Sequence, residues 1–152
     1  MKLRSNSPVL LGSVLLLACL SVGSAHAERS HELGNFIVHY NAMPTDALDI
    51  SVARTYAIHR ARNVGILNVA VARKQPGGKT SPVTAMVSAH VTDHRGHISE
   101  VHMREIRDGE AIYYVGEFEI RSHRPLRFRL DVSPENATPP YMLTFEKQFM
   151  VD

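Results

Sequence analysis

Cysteine is nearly missing from this chain: of 152 residues only Cys19 carries a thiol, and tryptophan is absent altogether. One cysteine closes no intrachain disulfide and builds no thiolate-caged metal site. Long apolar runs are equally scarce. The longest, Val9–Leu20, falls short of the roughly 20 residues that a membrane-spanning helix needs. No run of that length follows it, so the chain carries no candidate spanning helix downstream. An excess of one charge is missing too, with 17 Lys and Arg against 15 Asp and Glu. That balance argues against nucleic acid and against an acidic membrane surface as partners. There is also no G-x-S-x-G elbow, no S-x-x-K and no phosphate-cradling glycine loop. A hydrolytic site assembled only by folding leaves no such trace, and it stays open as an alternative.

What is present starts at the N-terminus. Met1-Lys2-Leu3-Arg4 is a short basic opening, Val9–Leu20 is apolar, and Ala25-His26-Ala27 is a small-residue cleavage pattern. That order predicts a secretory signal peptide over residues 1–27, cut after Ala27, and a periplasmic destination. A second reading exists: Leu16-Leu17-Ala18-Cys19 resembles a lipobox and would anchor the protein through Cys19, though Leu17 is bulky for such a motif. Cleavage after Ala27 leaves residues 28–152, enough for one domain with a real core. Lys2 and Arg4 leave with the leader, so the remaining basic and acidic residues balance. The remaining domain has no cysteine, hence no thiol nucleophile and no disulfide, although its compartment permits them.

Beyond the leader, periodicity of two dominates. Glu28–Asn35 reads as a loose polar lead and Phe36–Asn41 as a first strand. Asp49–Tyr56 allows one or two helical turns, with Asp49 or Ser51 as the cap. Gly65–Val71 follows as a strand, and Lys74–Lys79 is a turn. Val83, Ala85, Val87, Ala89 and Val91 then share one face of a strand running to Thr92. Ile98–Arg107 is another strand whose phase breaks between Met103 and Ile106, which predicts a bulge. Asp108-Gly109 signals a hairpin. Ala111–Ile120, Leu126–Ser133 and Tyr141–Val151 complete about seven strands with turns roughly every 8–12 residues, the pattern of an all-β antiparallel sandwich or barrel.

Certain segments resemble a known family. They are His39-Tyr40-Asn41-Ala42, then Ala53-x-x-Tyr56-x-Ile58-x-Arg60, Gly65-Ile66-Leu67-Asn68-Val69, Pro82-Val83-x-Ala85 and Ile112-Tyr113-Tyr114. In these the chain is similar to the bacterial domain of unknown function 4426. Ala61 departs from the pattern, where serine is expected after the arginine. The resemblance implies an immunoglobulin-like β-sandwich and an envelope location, and it implies no activity.

Two groups of residues invite a functional reading. His39, Tyr40, Asn41, Arg60 and Asn68 are polar groups among strand formers. They either satisfy backbone groups at a sandwich edge or form a recognition patch for an unidentified envelope protein, peptide or glycan. His90, His94, His97 and His102 cluster about one turn, near Met86 and Met103. Histidine with methionine is a copper-type ligand set, but the spacing of a tight site is missing. The leading expectation is therefore a non-enzymatic periplasmic binding or envelope accessory module with no metal and no cofactor; a copper-handling protein is the alternative. The arginine-rich stretch Arg121–Arg129 reads as the solvated face of a strand, with Phe128 in the core.

Overall fold

The computed structural model describes residues 29–150; the expected signal segment, its expected cleavage position and Cys19 lie outside the described residues. Alternate residues along the strands are buried, and this builds two antiparallel sheets packed face to face. The strands are β1 (Arg29–Leu33), β2 (Phe36–Pro44), β3 (Val64–Lys74), β4 (Thr80–Pro82), β5 (Ala85–Thr92), β6 (Ile98–Val101), β7 (Arg104–Asp108), β8 (Ala111–Glu119), β9 (Leu126–Pro134) and β10 (Tyr141–Lys147). The first sheet runs β1-β2-β3-β8-β7, with β4 also paired to β3, and the second runs β10-β9-β5-β6. With β1 and β4 set aside, β2-β3-β8-β7 over β10-β9-β5 is the A-B-E-D over G-F-C order of the immunoglobulin fold, with β6 added beyond C. The all-β sandwich expected from periodicity is thus the architecture observed.

The strand β9 shows the physical cause most plainly. Leu126, Phe128, Leu130 and Val132 point inward while Arg127 and Arg129 stay exposed. Phe128 is wholly buried, stacked on Phe145 at 4.7 Å and edge-on to Phe118 at 5.0 Å. Offset and edge-to-face rings of this kind add to burial by about 0.5–1.5 kcal/mol per pair. Gly65 belongs to this cluster for a steric reason: a Cβ there would lie 2.2 Å from the Phe118 ring of the neighbouring strand.

Four sequence expectations need correction. The polar lead is not loose: Arg29–Leu33 forms β1, hairpinned to β2. Its two-residue Gly34-Asn35 loop has Gly34 at φ 57°, a backbone state that glycine takes cheaply. The strand expected over residues 83–92 starts only at Ala85, because Thr80–Pro82 pairs with β3 in the first sheet before the chain crosses over. The strand expected over residues 98–107 is two strands. Its phase break is a change of sheet at His102-Met103, with β6 pairing β5 and β7 pairing β8. The last strand stops at Lys147, and Val151 lies outside the described residues. Ten strands thus replace about seven.

The short helix is where it was expected. Helix α1 (Ile50–Thr55) is capped by Asp49, whose Oδ1 accepts from the Ser51 amide at 2.7 Å. It ends in a Schellman motif: Ile58 N–H donates to Ala53 O at 2.8 Å and Ala57 N–H to Arg54 O at 3.3 Å. Ala57 occupies the left-handed position at φ 52°. The reversal swings Ile58 and the residues after it back over the first sheet.

Candidate functional site

The corner formed by residues 56–61 is held from four directions. Thr45, wholly buried in the 3-10 turn Thr45–Ala47, accepts from Ala61 N–H at 2.9 Å. Its hydroxyl oxygen also lies 3.0 Å from Ala61 O and 3.1 Å from Val64 O, the two acceptors for its single proton. Arg60 Nη2 donates to Asp46 O at 2.5 Å. Arg104 donates to Tyr56 O, and the His59 amide donates to Glu117 Oε1 at 3.4 Å. Burial, and then the nearby Asp108 carboxylate, push the Tyr56 hydroxyl above its ordinary pKa. Ala61 acts through its backbone, so serine is not needed there for these bonds.

Between this corner and the sheet lies an open cleft of about 240 Å³, lined by Ile58, Ile66, His102, Arg104, Val115, Gly116 and Glu117. Its floor is aliphatic and its rim carries an imidazole, a guanidinium and a carboxylate. The cleft exists because the chain changes sheet beside it. Gly116 packs against that crossing so closely that a Cβ would lie 2.6 Å from Val101 Cγ1, 2.8 Å from Met103 Sδ and 2.9 Å from His102 O. The cleft is smaller than the roughly 300–1,000 Å³ of a typical small-molecule pocket. It is sized for one side chain or one sugar substituent.

The structure divides the five candidate patch residues. Asn41 and Asn68 are directly opposite one another on β2 and β3. By strand alternation they share the outer face of the first sheet with half-buried His39 and with Ile66 and Val115 of the cleft. Asn68 Oδ1 is out of solvent contact and has no hydrogen-bond donor among the described residues. Lys147 Nζ donates to Asn41 Oδ1 at 3.4 Å. Tyr40 does not join them. It is 9 % exposed and its ring faces Phe145 at 4.8 Å, so it is a core residue. Arg60 also stands apart, holding the turn after β2 through Asp46 O.

The four histidines are not gathered. His90 sits on β5 opposite Glu100 and Arg129. His94 and His97 belong to the β5–β6 turn, where Asp93 Oδ1 accepts from the Arg95 and His97 amides at 2.8 and 2.9 Å. His102, with 90 % of its side chain exposed, is at the cleft rim, 4.0 Å from Glu100 Oε1. Among the described residues no three His, Cys, Asp or Glu side chains are placed to hold a metal ion. The arginine-rich stretch is only partly a strand face: Arg127 and Arg129 lie exposed on β9 and pair with Glu146 and Asp131, whereas Arg121 belongs to the loop between β8 and β9 and pairs with Glu119.

Thr45, Arg104, Val115 and Glu117 were not singled out by sequence, and Ile58 and Ile66 stood there only as residues of the resemblance, without a role. They come together through the helical corner and the change of sheet, which no local pattern announces beyond the Met103–Ile106 phase break.

Comparison with known proteins gives the following. A family model described as Domain of unknown function (DUF4426) matches residues 30–152. The crystal structure of a DUF4426 family protein from Pseudomonas aeruginosa PAO1 is similar with a TM-score of 0.71 at 26% identity, covering 85% of this chain and 99% of that one. FetP from uropathogenic Escherichia coli strain F11, expressed recombinantly in the periplasm, gives a TM-score of 0.57 at 8% identity over 80% and 93% of the two chains. A copper-bound variant of FetP gives 0.56 at 8% identity over 82% and 96%. At such identity the likeness to FetP is one of fold. No curated protein matches the chain.

Proposed function

The chain belongs to the DUF4426 family, and from that premise we propose that it is a non-enzymatic, periplasmic binding module. Its docking face is the outer face of the first sheet under the helical corner. The observation that carries this reading is the juxtaposition there of an aliphatic cleft with a charged rim and the undonated Asn68 oxygen. A buried acceptor without a donor costs roughly 1–3 kcal/mol, and a partner that brings an N–H or O–H recovers it. The occupant is an apolar side chain of an envelope protein or peptide, seated on Ile58, Ile66 and Val115 beside that donor. The rim groups Arg104 and Glu117 already bond to the backbone of the corner, so they act as frame and orienting charges, not as reagents. The periplasmic part rests on the leader pattern in residues 1–27. The four histidines are not gathered into one group among the described residues, so they do not favour a metal-handling role over docking.

The test is quantitative capture from a detergent-solubilised envelope fraction, comparing wild type with a His102→Ala/Glu117→Gln double variant and with Asn68→Ala. These side chains lie at the surface or beside the cleft, so circular dichroism is expected to be unchanged. A specific partner held by wild type and lost by both variants supports the face. A partner retained by both overturns it.

A further inference from the structure

The sandwich has a second polar locality that the docking face does not explain, at the flank where β1 meets β10. Arg73, Lys74, Arg107, Arg121, Arg127 and Arg129 each face a carboxylate. Arg29 and Lys147 are among the cations that face none among the described residues. Arg29 Nη1 donates to the main-chain oxygen of Glu146 at 3.4 Å, and its guanidinium lies 5.8 Å from the Phe145 ring centre. Glu146 itself turns its carboxylate to Arg127. Lys147 points inward by strand phase, half-buried, with Nζ 3.4 Å from Asn41 Oδ1 and 5.9 Å from the Phe149 ring centre. Through Glu146 O and the Phe145 ring the Arg29 guanidinium sits against the two residues of β10 that precede Lys147.

We infer that this flank is an oxyanion-binding site for a phosphate group, held by Arg29 and Lys147 with the Asn41 amide beside them. Two neighbouring cations, one of them partly desolvated, repel each other, and an anion between them relieves that cost. A doubly charged oxyanion neutralises both, whereas a carboxylate neutralises one. The guanidinium fork offers paired N–H donors to two phosphate oxygens, and the ammonium adds a point charge. The phosphate comes either free in solution or on a lipid headgroup.

The experiment follows thermal unfolding of the purified protein during titration with inorganic phosphate, against sodium chloride at matched ionic strength. The wild-type midpoint is expected to rise with phosphate beyond the chloride control. The rise is expected to shrink in Arg29→Gln and in Lys147→Met and to vanish in the double variant. Because Arg29 is exposed and methionine fits the lysine stem, both variants are expected to fold; their midpoints without phosphate check this. A rise matched by chloride, or one that survives in the double variant, overturns the site. Pelleting with phosphatidylglycerol vesicles, and not phosphatidylcholine vesicles, in competition with inorganic phosphate assigns a lipid source. A phosphate-dependent rise without pelleting assigns a soluble one.

Discussion

The two flanks of the sandwich are closed in different ways. At one, the chain itself crosses from sheet to sheet at His102-Met103, with Gly116 packed against the crossing, and the Tyr114 hydroxyl bridges from β8 to the start of β5. At the other, no stretch of chain crosses between β1 and β10, and the contacts between them run through side chains such as Arg29, which reaches the main-chain oxygen of Glu146. Covalent closure with close packing fixes geometry. Closure by long polar side chains leaves a seam that a ligand can enter, because such side chains lose little by rearranging. The locked flank therefore shapes the cleft proposed for docking, and the loose flank carries the inferred anion site.

The comparison is broken most severely at Gly116. Gly116→Ala places a methyl within contact distances that require the crossing to move. It should cost roughly 1–3 kcal/mol, as overpacking does, read as a lower urea midpoint with an unchanged slope. It should also open or distort the cleft. Tyr114→Phe comes next. The hydroxyl accepts from Ala85 N–H at 2.8 Å and donates to Glu105 Oε2 at 3.1 Å. Its removal leaves a part-buried amide without that acceptor, at a cost of about 1–2 kcal/mol by the same measurement.

Titration sharpens the contrast, because stability rises with pH at both flanks but in separate windows, the carboxylate range at one and the ammonium range at the other. At the locked flank, the hydrogen bond from Arg107, then the bond from Tyr114, hold Glu105 below its ordinary pKa. Its contribution is present above the unfolded value and is lost as pH falls through the folded one. Glu105→Gln should remove that part of the acid destabilisation. At the loose flank, burial and then repulsion by Arg29 lower the Lys147 pKa. The facing groups are Arg29 from β1, Asn41 from β2 and the Phe149 ring; the Glu146 carboxylate faces Arg127. The folded protein releases this proton earlier than the unfolded chain, so stability rises with pH between the lowered value and the ordinary value of 10.5. Lys147→Met should abolish that rise. The difference between variant and wild type isolates it from Tyr56 and Tyr114, whose raised values act in the opposite direction. The smallest effect is expected for Arg29→Gln without phosphate, within about 0.5 kcal/mol as for most exposed positions.

Much of the architecture was legible from residue alternation, which is a direct imprint of a half-buried sheet. Phe128 with Leu126 and Leu130, and the Asp49 cap, could be read from spacing alone. The β1 hairpin was hidden because Arg29–Leu33 is polar on both faces, although Gly34-Asn35 before a strand was a usable signal. The sheet changes at Val83-Thr84 and His102-Met103 were illegible for a different reason. A strand that switches sheets keeps its alternation nearly intact, so only one phase slip betrayed either crossing. Of the proposed patch, Asn41 and Asn68 stand out in the sequence because polar residues interrupt apolar strands, and the structure sets them opposite one another. Tyr40 was grouped with them because adjacency in sequence hides the fact that neighbours on a strand face opposite ways. The cleft residues could not be grouped at all, since four separate elements supply them.

The most direct measurement is a map of amide chemical-shift changes in the isotopically labelled protein as a captured envelope partner is added. Changes concentrated at Ile58, Ile66, Asn68, Val115 and Glu117 are the predicted result. Changes centred on the outer residues of β5 and β9, with the cleft silent, would contradict the placement of the docking face on the first sheet.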